Sequence, residues 1–165
     1  MKARSCDYDR DRPAIDCARA LRRAVEHRAP DAGGRGSPAL RRSVTFEWLP
    51  EGGFLIERWE VPTTDVPNGL AVIGPAPEEG RFLQYQFDSR EEARIYAMEL
   101  SGETWRLWRS EPDLSPLDFH QRFAGTFGPD RRTITGHGET SDDGVSWRED
   151  FGLLYRRAAE SGTAG

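Results

Sequence analysis

The residues in this chain that could do chemistry are polar side chains set at alternate positions in otherwise apolar runs. A polar group pointed into an apolar interior costs free energy unless something satisfies it. In FLIERWEV, Arg58 follows Phe54 and Ile56 at every second position, and an inward guanidinium there would hold a ligand carboxylate through paired, charge-assisted hydrogen bonds. Glu149 lies between Trp147 and Phe151 with the same alternation. Burial would raise its pKa and make it a proton donor or acceptor. Tyr85, Tyr96 and Tyr155 bring hydroxyls to apolar faces and Gln121 adds an amide, groups of the kind that orient a molecule in a mostly apolar pocket. Each also has a plainer reading, in which Arg58 pairs with Glu149 or reaches solvent at a rim and the tyrosines hydrogen-bond to backbone.

Other chemistries find little support. There is no Gly-x-Ser-x-Gly elbow, HExxH, phosphate-binding P-loop or GxGxxG, so no catalytic residue is assigned. His120 alternates against Phe119 and Gln121, and His137 shares parity with Thr133, Thr135 and Glu139. Both are expected to point outward, whereas haem needs an axial ligand inside its pocket. His137 and Glu139 could share one side of a strand, but two ligands do not specify a metal site. Cys6 and Cys17 both fall in the polar N-terminal segment and suggest neither a disulfide framework nor a cysteine zinc site. The expectation is no metal and no cofactor.

The elements that must position these residues are strands. From Ser43 onward apolar residues recur with period two, as in Val44, Phe46, Trp48 and again in Leu83, Tyr85, Phe87 and Tyr96, Met98, Leu100. Turn chemistry separates the runs: Pro50-Glu51-Gly52-Gly53, Asp88-Ser89-Arg90, Ser101-Gly102, Gly128-Pro129-Asp130 and Ser141-Asp142-Asp143-Gly144. Helical periodicity is absent after residue 42, which excludes a βαβ sheet. About nine short strands in sequential hairpins predict a mainly β, single antiparallel up-and-down barrel, because closing a sheet removes its unpaired edges. Residues 1–42 are read as a short helix over about 14–28 followed by a Gly-, Pro- and Arg-rich connector, residues 43–157 as the barrel, and residues 158–165 as a disordered tail.

Composition narrows the partners. The 165 residues carry a formal charge of −5 and a pI near 5.3, the wrong sign for binding phosphate backbones, so no nucleic acid is expected. No apolar run approaches the roughly 20 residues that span a bilayer. MKARSCDYDRDRP is charged where a signal peptide needs an apolar segment. The expectation is a cytoplasmic protein without membrane contact.

Gly136, Glu139, Ser141, Asp143, Gly144, Trp147, Asp150, Phe151, Leu153, Tyr155 and Arg157, with FEWL…GGFLIERWEV and FDSR…RIYAM before them, resemble a bacterial family of lipocalin-like, calycin-type barrels of unknown function. That family is similar in fold to fatty-acid-binding proteins and, more distantly, to the haem-binding nitrobindins. The resemblance covers about residues 43–157 and implies a fold, not a reaction. Two departures stand out. Such barrels open with a helix and a Gly-x-Trp at the first strand, yet residues 1–42 contain no Gly-x-Trp, which predicts an atypical or missing first strand where LRRAVEHRAP stands. Gly138 occupies a position where a large aromatic is expected, and together with Ile134 and Gly136 it predicts space inside the wall.

These readings converge on a barrel that binds a small apolar or aromatic molecule, acidic ones included. Its ligand contacts are expected from Arg58, Tyr85, Tyr96, Gln121, Gly138, Trp147, Glu149 and Tyr155. Phe46, Trp48, Phe54, Trp59, Trp105, Phe123 and Phe151 would complete the interior. One alternative is an isomerase or cyclase using Glu149, Arg58 and a tyrosine, and another is a haem-binding barrel of the nitrobindin kind. A homodimer paired through the strand edge left by the degenerate N-terminus is a third possibility.

Overall fold

The computed structural model describes residues 42–50, 52–62, 66–78 and 80–157, together with the backbone of 25–27. Ten strands follow one another: β1 (Val25–His27), β2 (Arg42–Trp48), β3 (Leu55–Glu60), β4 (Gly69–Pro75), β5 (Arg81–Asp88), β6 (Ala93–Ser101), β7 (Thr104–Arg109), β8 (His120–Phe127), β9 (Thr133–Ser141) and β10 (Arg148–Arg157). Strands β2 to β10 form a curled sheet of nine antiparallel strands, each hydrogen-bonded to the next in sequence. The three-residue β1 pairs with both β2 and β10 and joins the two ends into a barrel. Among the described residues no helix is long and apolar enough to cross a membrane.

The N-terminal expectation is corrected in part. Val25–His27 falls inside the stretch read as helix, but it is extended, with Val25 opposite Val44 on one side and Arg157 on the other. Two open ladder edges offer this segment backbone hydrogen bonds on both sides, which outweighs a thin helical periodicity. The first strand is therefore present rather than missing, though only three residues long. The rest of the expected helix, the connector and the tail lie outside the described residues.

Alternation decides what points inward. In β2, Val44 and Phe46 are buried while Ser43, Thr45 and Glu47 are exposed. Antiparallel partners share a face, and β2 and β3 pair Val44 with Trp59, Phe46 with Glu57 and Trp48 with Leu55. Leu55, Glu57 and Trp59 therefore face the interior, and Ile56 and Arg58 face out. The connections after β3, β5, β7 and β9 lie at one end of the barrel and those after β2, β4, β6 and β8 at the other.

The second of these ends is packed solid. Phe46, Leu55, Ile73, Met98, Trp105, Phe127 and Ile134 are buried there as one cluster. Trp105, only 1% exposed, meets Phe123 edge-on at 5.3 Å and Tyr155 at 6.0 Å between ring centroids, within the range favoured by aromatic pairs. The tight β6–β7 turn at this end needs Gly102, whose φ of 59° lies in the left-handed region.

Candidate functional site

Toward the other end the barrel holds a cavity of about 410 Å³, a size suited to one small ligand. Its apolar walls come from Val44 of β2, Trp59 of β3, Leu107 of β7, Phe123 of β8, and Phe151, Leu153 and Tyr155 of β10. Converging on the same space are Glu57 from β3, Gln84 and Gln86 from β5, Arg94 and Tyr96 from β6, and Gln121 from β8.

Glu57 is the most unusual group. It is 6% exposed, and burial pushes its carboxyl up from 4.5 to about 7. Its strand partners are Phe46 and Ala71, neither of which offers a side-chain donor. No hydrogen bond or ion pair reaches its carboxyl among the described residues. Gln84 is 3% exposed, and its Oε1 is buried without a partner.

On the facing wall the polar groups bond one another, although Arg94 Nε is buried without a partner. Gln121 Oε1 accepts hydrogen bonds from Tyr96 Oη at 2.7 Å and from Arg94 Nη1 at 3.2 Å. Burial pushes the Tyr96 hydroxyl up, and the Arg94 guanidinium draws it partly back. Arg94 also donates to Glu92 at 3.4 Å and lies 5.5 Å from the centre of the Phe119 ring. At the mouth, Arg90 pairs with Asp88 at 2.7 Å, and Arg122 forms a two-pronged bond to Glu139 at 2.6 and 3.1 Å.

A buried ion pair braces this wall beside Gln121. Arg109 donates to Asp113 at 2.8 and 3.1 Å, and Asp113 also accepts from the backbone N–H groups of Ile95 at 2.7 Å and Ser115 at 3.0 Å. Burial alone would push the Asp113 carboxyl up, but these donors outweigh it and hold it well below the usual carboxylate range. Arg109 also donates to the carbonyls of Ser115 and Pro116, so the β7–β8 connection is tied down beside Gln121, the residue opposite Arg109 in the ladder.

Of the residues expected to form the site, the structure brings Tyr96, Gln121 and Tyr155 together in the cavity wall. Arg58 and Tyr85 are corrected: both are exposed on the outer face, because pairing with β2 turns Glu57 inward and pairing with β4 and β6 turns Gln84 inward. Phe54, expected inside, is exposed as well, with its ring lying against Gly74. Glu149 is exposed, since a register shift between Glu149 and Phe151 breaks the alternation and brings Asp150 to the rim. Trp147 does not line the cavity; its ring covers the Arg122 guanidinium at 4.1 Å.

Gly138 is buried, but the space it leaves is occupied. A Cβ there would run into the Phe151 ring, just as one at Gly136 would run into Phe123. Phe123 and Phe151 then stack with centroids 6.3 Å apart, so the glycines of β9 admit aromatic rings from β8 and β10 instead of opening a void. Neither His120 nor His137 lines the cavity, so the imidazole ligation considered for haem has no donor there from these two. His137 is exposed, and Glu139 is bonded to Arg122.

The residues that sequence reasoning missed are Glu57, Gln84, Gln86 and Arg94. The signal for Glu57 was present, since it alternates with Leu55 and Trp59 as Arg58 does with Phe54 and Ile56. Comparison of the sequence with models of known protein families finds no match, and comparison with curated proteins finds no significant one. The curled all-antiparallel sheet is compatible with a calycin-like fold.

Proposed function

We propose that the protein is a small-molecule-binding barrel of the lipocalin-like kind. The single observation behind this reading is the cavity of about 410 Å³ at one end of an otherwise filled barrel, with apolar walls and a few convergent polar groups. The ligand would be an apolar or aromatic compound with a polar end. Its body would lie against Trp59, Leu107, Phe123 and Leu153, and its polar groups would meet Glu57, Gln84 and the Tyr96–Gln121 pair. An acidic substituent would sit toward Arg90 and Arg94 at the mouth.

Titration with an apolar naphthalene probe, followed by tryptophan quenching, tests the reading. Saturable uptake by the wild type is expected, and loss of uptake in Leu107→Trp, with far-UV circular dichroism unchanged, supports it. No uptake, or equal uptake by the filled variant, refutes it.

One observation favours a second reading, an isomerase or cyclase that uses the interior for acid–base chemistry. A carboxyl held near 7 and facing a cavity is matched to general acid or base work at neutral pH. In that case Glu57, rather than Glu149, moves the proton. Glu57→Gln would abolish turnover of a substrate while leaving its binding in place.

A further inference from the structure

The polar groups of the cavity divide into two sets. Those at the mouth have charged or polar partners: Arg90 with Asp88, Arg122 with Glu139, and Arg94, through its Nη atoms, with Gln121 and Glu92, although Arg94 Nε is buried without a partner. Those at Glu57 and Gln84 do not. Glu57 is 6% exposed with no bond to its carboxyl among the described residues, and Gln84 is 3% exposed with an orphaned Oε1. Buried acceptors without donors are rare because leaving one unmade forfeits its whole hydration, and Gln84 Oε1 is such an acceptor, while the Glu57 carboxyl opens on the cavity.

The strand ladder puts these two in one neighbourhood. Glu57 on β3 lies opposite Ala71 on β4, Ala71 lies opposite Gln86 on β5, and Gln84 stands two residues from Gln86 on the same face, opposite Ile73, so that Glu57, Gln84 and Gln86 all line the cavity. Ala71 is fully buried and carries only a methyl group, so nothing on β4 intervenes with a donor of its own. No donor bonds the Glu57 carboxyl among the described residues, so what it lacks is a cationic partner, and the Arg90 and Arg122 guanidinium groups are held by their own carboxylates at the mouth.

Resting on the ligand-binding reading, we infer that the Glu57–Gln84 corner is the recognition site for a cationic nitrogen head group, an ammonium or amidinium whose N–H donors meet the Glu57 carboxylate and Gln84 Oε1. The apolar body of the ligand then extends along Trp59, Leu107 and Phe123. An anionic head group is disfavoured in this corner, because it would face the like charge of the ionised Glu57 carboxylate.

Three probes of one shape and different head group test the inference: 2-naphthylmethylamine, 2-naphthylmethanol and 2-naphthoate, titrated by calorimetry at about pH 8, where the amine is protonated and Glu57 is mostly ionised. The amine is expected to bind the wild type most tightly and the carboxylate least. Glu57→Gln should weaken the amine about tenfold or more, the loss typical of a charge-assisted hydrogen bond, while changing the alcohol by no more than about threefold. Gln84→Leu should weaken the amine in the same direction. If the three probes bind alike and Glu57→Gln leaves their order unchanged, the head-group assignment is overturned and the binding cavity stands. If none of the three binds, the cavity reading falls with it.

Discussion

Replacing Glu57 by Gln should make the protein more stable, and the gain should grow with pH. The wild-type carboxyl titrates at 4.5 when unfolded and at about 7 in the folded barrel, because burial disfavours its charged form. Below 4.5 both states hold the proton and folding is not penalised. Between 4.5 and about 7 the unfolded chain ionises while the folded one does not, so stability falls as pH rises. Above about 7 both are ionised and the penalty levels off. At about 1.36 kcal/mol per pH unit, the penalty is about 1.4 kcal/mol at pH 5.5 and about 3 kcal/mol at pH 8.

Gln keeps the shape of the side chain and cannot ionise, so it removes this term. Urea unfolding of the wild type and Glu57→Gln at these two pH values should therefore show an advantage of the variant that is larger by about 2 kcal/mol at the higher pH. A difference between the two proteins that stays constant with pH would refute the argument, because it would mean that Glu57 is as well solvated folded as unfolded.

Two further outcomes follow from the packing. Asp113→Ala leaves Arg109, 3% exposed, with its charge unpaired and strips the Ile95 and Ser115 N–H groups of their acceptor. It should cost about 3–5 kcal/mol in chemical denaturation. The wild-type contribution of Asp113 is present above 3.8, its unfolded value, and is lost only as pH falls further, since its folded value is depressed. Gly138→Ala forces a methyl group into the Phe151 ring and should lower stability by about 1–3 kcal/mol. In a Phe151→Ala background the same substitution should cost much less, and equal costs in both backgrounds would show that the ring is not what the glycine accommodates.

The two orientation errors arose on β3, which is apolar on both faces, and on β5, whose more apolar face points outward. β3 carries Leu55 and Trp59 inward but Phe54 and Ile56 outward or nearby, and β5 sets Phe82, Gln84 and Gln86 against Leu83, Tyr85 and Phe87. Period two fixes which residues share a face, but it cannot choose the inner face when both are apolar, as in β3, and it points the wrong way when the more polar face lines a cavity, as in β5. β2 was unambiguous, with Val44, Phe46 and Trp48 opposed by Ser43, Thr45 and Glu47, and its pairing with β3 settles the choice in favour of Glu57. Glu149 failed for a different reason: a bulge, which no alternation pattern reveals, shifts the register beside it.

The sequence by itself determined the succession of antiparallel strands, because alternation and turn residues are local properties of the backbone and its neighbours. It also set Tyr96, Gln121 and Tyr155 among large apolar residues at alternate positions, and all three line the cavity. Only the tertiary structure decided that Val25–His27 is a strand, that Phe151 fills the space at Gly138, and that Glu57 and Gln84 line one cavity with neither the Glu57 carboxyl nor Gln84 Oε1 bonded among the described residues. Those outcomes depend on which edge meets which, which ring fills which gap, and how one strand's register constrains the next. The energies involved belong to contacts between residues far apart in the chain.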